Sequence, residues 1–127
     1  MKTTAVVPYE WAVYFDEFSR RHRGWLVQLT ILDPKLGAQV EARDVALQGI
    51  VADPRVREVT FLLGEPAQLA EHAVRRVARA WVELGDDDTV EAVQIEADDG
   101  TRAILQFRVA VLPELVDGIS PASRAQK

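Results

Sequence analysis

The sequence predicts an α+β domain. One N-terminal amphipathic helix packs on a curved, mostly antiparallel sheet of about six strands, shaped like a half-open barrel. Two observations predict it. The segment PYEWAVYFDEFSRRHRG places Trp11, Tyr14, Phe15 and Phe18 at i, i+3, i+4 and i+7, which is one face of a helix. Beyond Gly24, apolar residues recur at every second position in short runs, and Asp-Pro and Asp-Gly dipeptides separate those runs. That alternation belongs to strands with one buried face.

The helix has signals at both ends. Pro8 suits a first helical position, where its missing N–H would have no partner anyway. Glu10 sits in the first turn, and Arg20, Arg21, His22 and Arg23 gather where cations meet the negative end of the helix dipole. Gly24 is a left-handed stop, so the expected helix runs from about residue 8 to 22. Its four rings are read as a cover for the sheet rather than as a stacking platform for a ligand. Burying each is worth roughly 1.5–3 kcal/mol, and a small domain cannot leave them all wet.

The strands follow in order. WLVQLTIL (25–32) turns Trp25, Val27, Leu29 and Ile31 to the core, and DPKLG (33–37) is turn chemistry. AQVEARDVALQGIVAD (38–53) is long, and Arg43-Asp44 interrupts its alternation, so a bent or bulged strand or two short strands are expected. Gly49 within it signals a bulge or a close backbone approach. DPRVRE (53–58) turns the chain into a run where Val59, Phe61 and Leu63 share a face.

VQIEADDGTRAILQF is a hairpin with two possible registers. A two-residue loop at Asp99-Gly100 leaves neither face cleanly apolar. A three-residue loop, Asp98-Asp99-Gly100 with Gly100 left-handed, sets Ile95 against Ala103, Val93 against Leu105 and Glu96 against Arg102. The second register is preferred. It places Ile104 on the outer face beside Gln94.

Residues 66–84 stay undecided between a helix and a strand pair. As a helix, Pro66 starts it, Gly85 ends it, and Leu69, Ala73, Val77, Trp81 and Leu84 share a face. As strands, the chain turns near Arg75-Arg76, and Ala78, Ala80, Val82 and Leu84 alternate with Arg79, Trp81 and Glu83.

At 127 residues the chain suits one domain with one core. The domain is expected to span residues 1–119, closed at one end by an apolar hook of Leu112, Leu115, Val116 and Ile119. Residues 120–127 are expected to form a loosely ordered tail.

Composition narrows the function. The chain has no cysteine, which excludes disulfides, thiolate catalysis and thiolate-bound metals. No apolar run approaches the ~20 residues of a membrane span, and MKTTAVVPYEW does not read as a secretory signal. A bacterial cytoplasmic setting is therefore expected. The net charge of −5 argues against bulk affinity for a phosphate backbone. Arg20, Arg21, Arg23, Arg75, Arg76 and Arg79 could form one basic patch, but the high share of Arg over Lys reads as the usage of a GC-rich genome. His22 and His72 lack partners at zinc-helix spacing, and no Walker loop, dinucleotide glycine pattern or nucleophile elbow occurs. The acidic runs GDDDTVE and EADDG lack the frame of a calcium loop and read as solvated turns.

The segments EWAVYFDEFSRRHRGWLVQLTIL, LGAQVEARDVALQGIVAD, FLLGE, VQIEADDGTRAILQF and LPELVDGI resemble the successive motifs of a bacterial family, domain of unknown function 5335. The resemblance covers about residues 8 to 119 and is most specific in FDEFSRRHRGWLV and LPELVDGI. The family's pattern at the undecided stretch is strand-like, H-x-I followed by R-V-x-L-E, often with Pro between. Here HAVRRVARAWVEL is richer in Ala and lacks the Pro. The resemblance tips that stretch toward strands. It implies no catalytic residue, substrate or cofactor.

The expected function is therefore non-catalytic. The protein would act through contacts with a protein partner or with itself, with no catalytic, cofactor or metal residue assigned. Leu26, Leu62, Trp81 and Ile104, large side chains on nominal outer faces, are the candidate interaction surface. The alternative is a small-ligand-binding barrel-like domain. An enzyme would have to draw on Glu10, Asp16, His22 and His72.

Overall fold

A computed structural model describes residues 2–109 of the chain. It contains eight strands in one sheet, all paired antiparallel, and one helix. The strands are β1 (Lys2–Val6), β2 (Leu26–Asp33), β3 (Gly37–Asp53), β4 (Glu58–Glu65), β5 (Gln68–Val74), β6 (Val77–Leu84), β7 (Val90–Ala97) and β8 (Arg102–Val109). Their order across the sheet is β1-β6-β7-β8-β2-β3-β4-β5, so the sheet does not close and β1 and β5 are its edges. The apolar hook and the tail expected from the sequence lie outside the described residues, as does the boundary at 119.

The helix forms where the sequence places it. A 3-10 turn at Pro8–Glu10 leads into α1 (Trp11–His22). The aromatic face points inward: Trp11, Phe15 and Phe18 are buried, and Tyr14 is half-buried against them. Trp11 donates its indole N–H to the Val6 carbonyl at 2.8 Å, which ties the helix start to the end of β1. Gly24 takes the left-handed conformation (φ +90°) that ends the helix, and its N–H bonds the Leu47 carbonyl at 2.7 Å.

The 17-residue β3 organises the sheet. Its first part pairs with β2, from Gly37 to Ala46, and its last part with β4, from Leu47 to Asp53. The alternation that Arg43-Asp44 breaks in the sequence is a real irregularity. Asp44 is left-handed (φ +54°), and the register with β2 shifts beside it. A second shift falls between Leu47 and Gly49 on the β4 side. These bulges bend one continuous strand.

Past Ala46, β2 no longer pairs with β3, and α1 takes its place along that edge. Ser19 Oγ accepts the Ile50 N–H at 2.7 Å and donates to the Phe15 carbonyl at 2.6 Å. A buried hydroxyl thus satisfies a buried strand edge.

The hairpin adopts the three-residue-loop register. Ile95 faces Ala103, Val93 faces Leu105, and Glu96 faces Arg102, with Gly100 left-handed (φ +90°). Residues 66–84 are a strand pair. Arg76 is left-handed (φ +54°) between β5 and β6, its carbonyl accepts from the Asp98 N–H, and Arg57's carbonyl accepts from the Val77 N–H. Eight strands replace the six expected. β1 is not among those expected, and the undecided residues 66–84 supply β5 and β6.

One apolar cluster joins the inner faces of the sheet to the three rings of α1. Val27, Leu29, Phe61, Leu63, Val93, Ile95 and Leu105 belong to it.

Replacing Ser19 with Ala strands the buried Ile50 N–H, so Ser19→Ala is expected to cost about 1–3 kcal/mol. Phe15→Ala should cost about 3–5 kcal/mol through the cavity it leaves. Urea denaturation followed by tryptophan fluorescence reads both.

Candidate functional surface

The face of the sheet turned away from α1 carries no second layer among the described residues. Strand register arranges its side chains in rows. One row runs Ala5, Trp81, Gln94, Ile104, Thr30, Val40 across β1, β6, β7, β8, β2 and β3. Trp81 and Ile104, proposed from the sequence, therefore sit in one row with Gln94 between them. Leu26 shares this face but lies four residues from Thr30 along β2, a distance of about 13 Å. Leu62 is elsewhere. It lies on β4, paired with Gly49 and Glu71, and fills the space that glycine leaves open: a Cβ on Gly49 would meet Leu62 Cδ1 at 3.7 Å. All four candidates are half-buried.

Val40, exposed at the end of the row, was missed by the sequence reading. Only the β2–β3 register reveals that it extends the Ile104 line.

A charged row flanks this apolar line. Arg79 faces Glu96, which faces Arg102. The Glu96 carboxylate lies 2.9 Å from Arg79 Nε and 3.1 Å from an Arg102 nitrogen. The Arg102 hydrogen bond, with both positive charges behind it, holds Glu96 below the usual carboxylate range against the opposing effect of burial. Arg102 also lies over the Trp81 ring, 5.4 Å from its centroid, a cation–π contact. On the other side Gln94 donates to Glu83, while its amide oxygen is buried with no partner among the described residues.

The candidate catalytic groups do not converge. Asp16 is exposed and paired with Arg20 at 2.8 Å. Glu10 is exposed at the start of α1, and His72 is half-buried on β5. His22 is buried, stacked on Phe18 at 4.1 Å and edge-on to Trp25 at 4.5 Å. Among the described residues no three His, Asp or Glu side chains group as metal ligands. The acidic runs form turns: Asp87 accepts the Thr89 N–H at 3.1 Å and Asp99 the Thr101 N–H at 2.9 Å. Of the six arginines, Arg20, Arg75, Arg76 and Arg79 are ion-paired, to Asp16, Glu58, Asp99 and Glu96, and Arg23 Nε donates to the Gln48 carbonyl. No described helix is long and apolar enough to cross a membrane.

The family described as "Family of unknown function (DUF5335)" matches residues 3–114. The chain belongs to this family. An uncharacterised protein of Aquifex aeolicus (strain VF5) is 31% identical over 117 residues, covering 90% of this chain and all of the relative. No solved structure matches it. The segments that resemble DUF5335 in the sequence, FDEFSRRHRG foremost, supply the helix face that the fold buries.

In this DUF5335 member His22 has a structural setting. Its Nδ1 lies 2.8 Å from the Phe18 carbonyl, which can only accept, so Nδ1 carries the proton. Burial depresses its pKa. The Phe18 bond acts in the opposite sense, and Arg21 adds to the depression. As pH falls, the other ring nitrogen, Nε2, is therefore protonated first in the unfolded chain. The contribution is intact above the ordinary histidine pKa of about 6.5 and is lost as pH drops from there through the folded value. Urea midpoints measured between about pH 5 and 7.5 should fall with acidification in the native protein and less steeply in His22→Phe.

Proposed function

We propose that this protein works by protein–protein contact, without a reaction of its own, and that the outer row Trp81–Gln94–Ile104–Thr30–Val40 is the centre of the contact. The observation that carries this reading is the uncovered sheet face. One side of the sheet is sealed by α1 and the packed core, and the other presents a tryptophan and an isoleucine with no layer over them among the described residues. Antiparallel sheets tolerate one wet face, but such faces are ordinarily polar. Here the charged residues Arg79, Glu96 and Arg102 are paired to one another beside the apolar line. A partner covering this face would bury Trp81 without stranding an unpaired charge.

The occupant is a second copy or a protein partner, in a bacterial cytoplasmic setting that the acidic, cysteine-free composition supports. The alternative, a small ligand held inside a barrel, has less support. The interior is filled by side chains of one cluster, with Phe61, Leu63, Val93, Ile95 and Leu105 at its centre.

Light scattering and native mass spectrometry at micromolar concentration should give a mass above the 14.2 kDa of one chain. Trp81→Asp, at a half-buried surface position, should return it to one chain by weakening association about thirtyfold or more. If the native protein is strictly monomeric, pull-downs with Trp81→Asp as the control decide between a protein partner and no contact role. Recovery of no Trp81-dependent partner ends the proposal.

A further inference from the structure

We infer that the occupant of the Trp81 face is a second copy of this chain, packed face to face about a twofold axis that runs along the row Trp81–Gln94–Ile104. The inference rests on the contact reading above and names its partner.

Three rows of side chains cross this face on β6, β7 and β8. The middle row is Trp81, Gln94 and Ile104. Two residues along each strand on one side lie Arg79, Glu96 and Arg102, and on the other side Glu83, Ala92 and Gln106. Neighbouring rows are therefore about 6.7 Å apart.

Two identical faces meet about a twofold axis lying in the plane between them, and each contact then occurs twice. The direction of that axis decides which charges meet. An axis along β6, β7 or β8 sets every residue of that strand against its own copy. That brings Arg79, Glu96 or Arg102 onto the same residue of the partner. An axis along the row Arg79–Glu96–Arg102 does so to all three, and an axis along the opposite row sets Glu83 against Glu83. Like charges held directly opposite are destabilising.

An axis along the middle row avoids every such pair, because it exchanges the two outer rows. Arg79 then meets the partner's Glu83, Glu96 meets the partner's Ala92, and Arg102 meets the partner's Gln106. Trp81, Gln94 and Ile104 each meet their own copies. The groups concerned can make the new contact. Arg79 is exposed and engages Glu96 through Nε alone. Glu83 is half-buried, accepts the Gln94 amide N–H and has no ion pair among the described residues. The partner's Arg79 supplies one. A face that complements itself under this exchange fits a second copy, and binding an unrelated protein requires no such relation.

The chain has no cysteine, so one introduced thiol reports one contact. Ile104→Cys lies on the axis, about 10 Å from its own copy across two packed sheets. A bismaleimide of about that reach should join it into a covalent dimer. Gln106→Cys stands about 13 Å along the strand from its own copy and should stay single. Arg79→Glu and Glu83→Arg should each weaken self-association about tenfold or more in sedimentation equilibrium, because two contacts change in every dimer. The double variant restores both contacts with the charges exchanged and should return to within about threefold of the native chain. Within one chain these two side chains stand about 13 Å apart along β6, too far to rescue each other.

The inference is overturned if the native protein is a single chain at about 100 μM, if Gln106→Cys links as readily as Ile104→Cys, or if the double variant associates no better than the single ones. Trp81-dependent binding of a different protein in place of a second copy also overturns it, and leaves the contact reading standing. A dimer that Trp81→Asp does not weaken removes the contact reading as well.

Discussion

Three aromatic rings on one helix face hold this fold together. An open antiparallel sheet can bury only one side against itself, and its bends leave a gap in the middle. Trp11, Phe15 and Phe18 fill that gap, at 0–1% exposure. Their burial is worth several kcal/mol in all, an appreciable share of a small domain's stability. The helix could not sit so close to a strand edge without help. Ser19 provides it by standing in for a missing strand and bonding the Ile50 N–H that would otherwise be buried alone. Apolar burial and polar satisfaction thus meet on one helix turn.

The same packing fixes where the candidate catalytic residues lie. The residues that sequence patterns offered for catalysis are spent on structure or scattered. His22 is boxed by Phe18, Trp25 and Phe107, and Asp16 is neutralised by its neighbour one helical turn on. The row through Trp81, in contrast, lies on a face with no second layer among the described residues.

Much of this was legible in the sequence where the determinants are local. The ring spacing fixes the helix. The Asp-Asp-Gly loop fixes the hairpin register, because only one register leaves an apolar face, and that register placed Ile104 on the outer side next to Gln94. The stretch from 66 to 84 was not legible, since HAVRRVARAWVEL satisfies helical and strand periodicity alike. Pairing with β4 on one side and with β1 and β7 on the other decides it, and tertiary context overrides propensity there. β1 was invisible for the same reason. Its residues are exposed until Val6, and its one partner among the described strands, β6, lay inside the undecided stretch. The candidate surface was half legible: Trp81 and Ile104 align, while Leu62 falls apart from them because β3 changes partners midway.

The pairing of β1 with β6 also bears on how the chain assembles. Lys2 lies opposite Leu84, so the strand ahead of the helix finds its mate only on the order of eighty residues later. Such distant closure slows folding because loop entropy is lost before the contact forms. During synthesis the ring-bearing helix is followed closely by β3, the strand it packs on, whereas β1 waits for β6. Until β6 arrives β1 has no described strand to pair with, while α1 already has β3 to pack on.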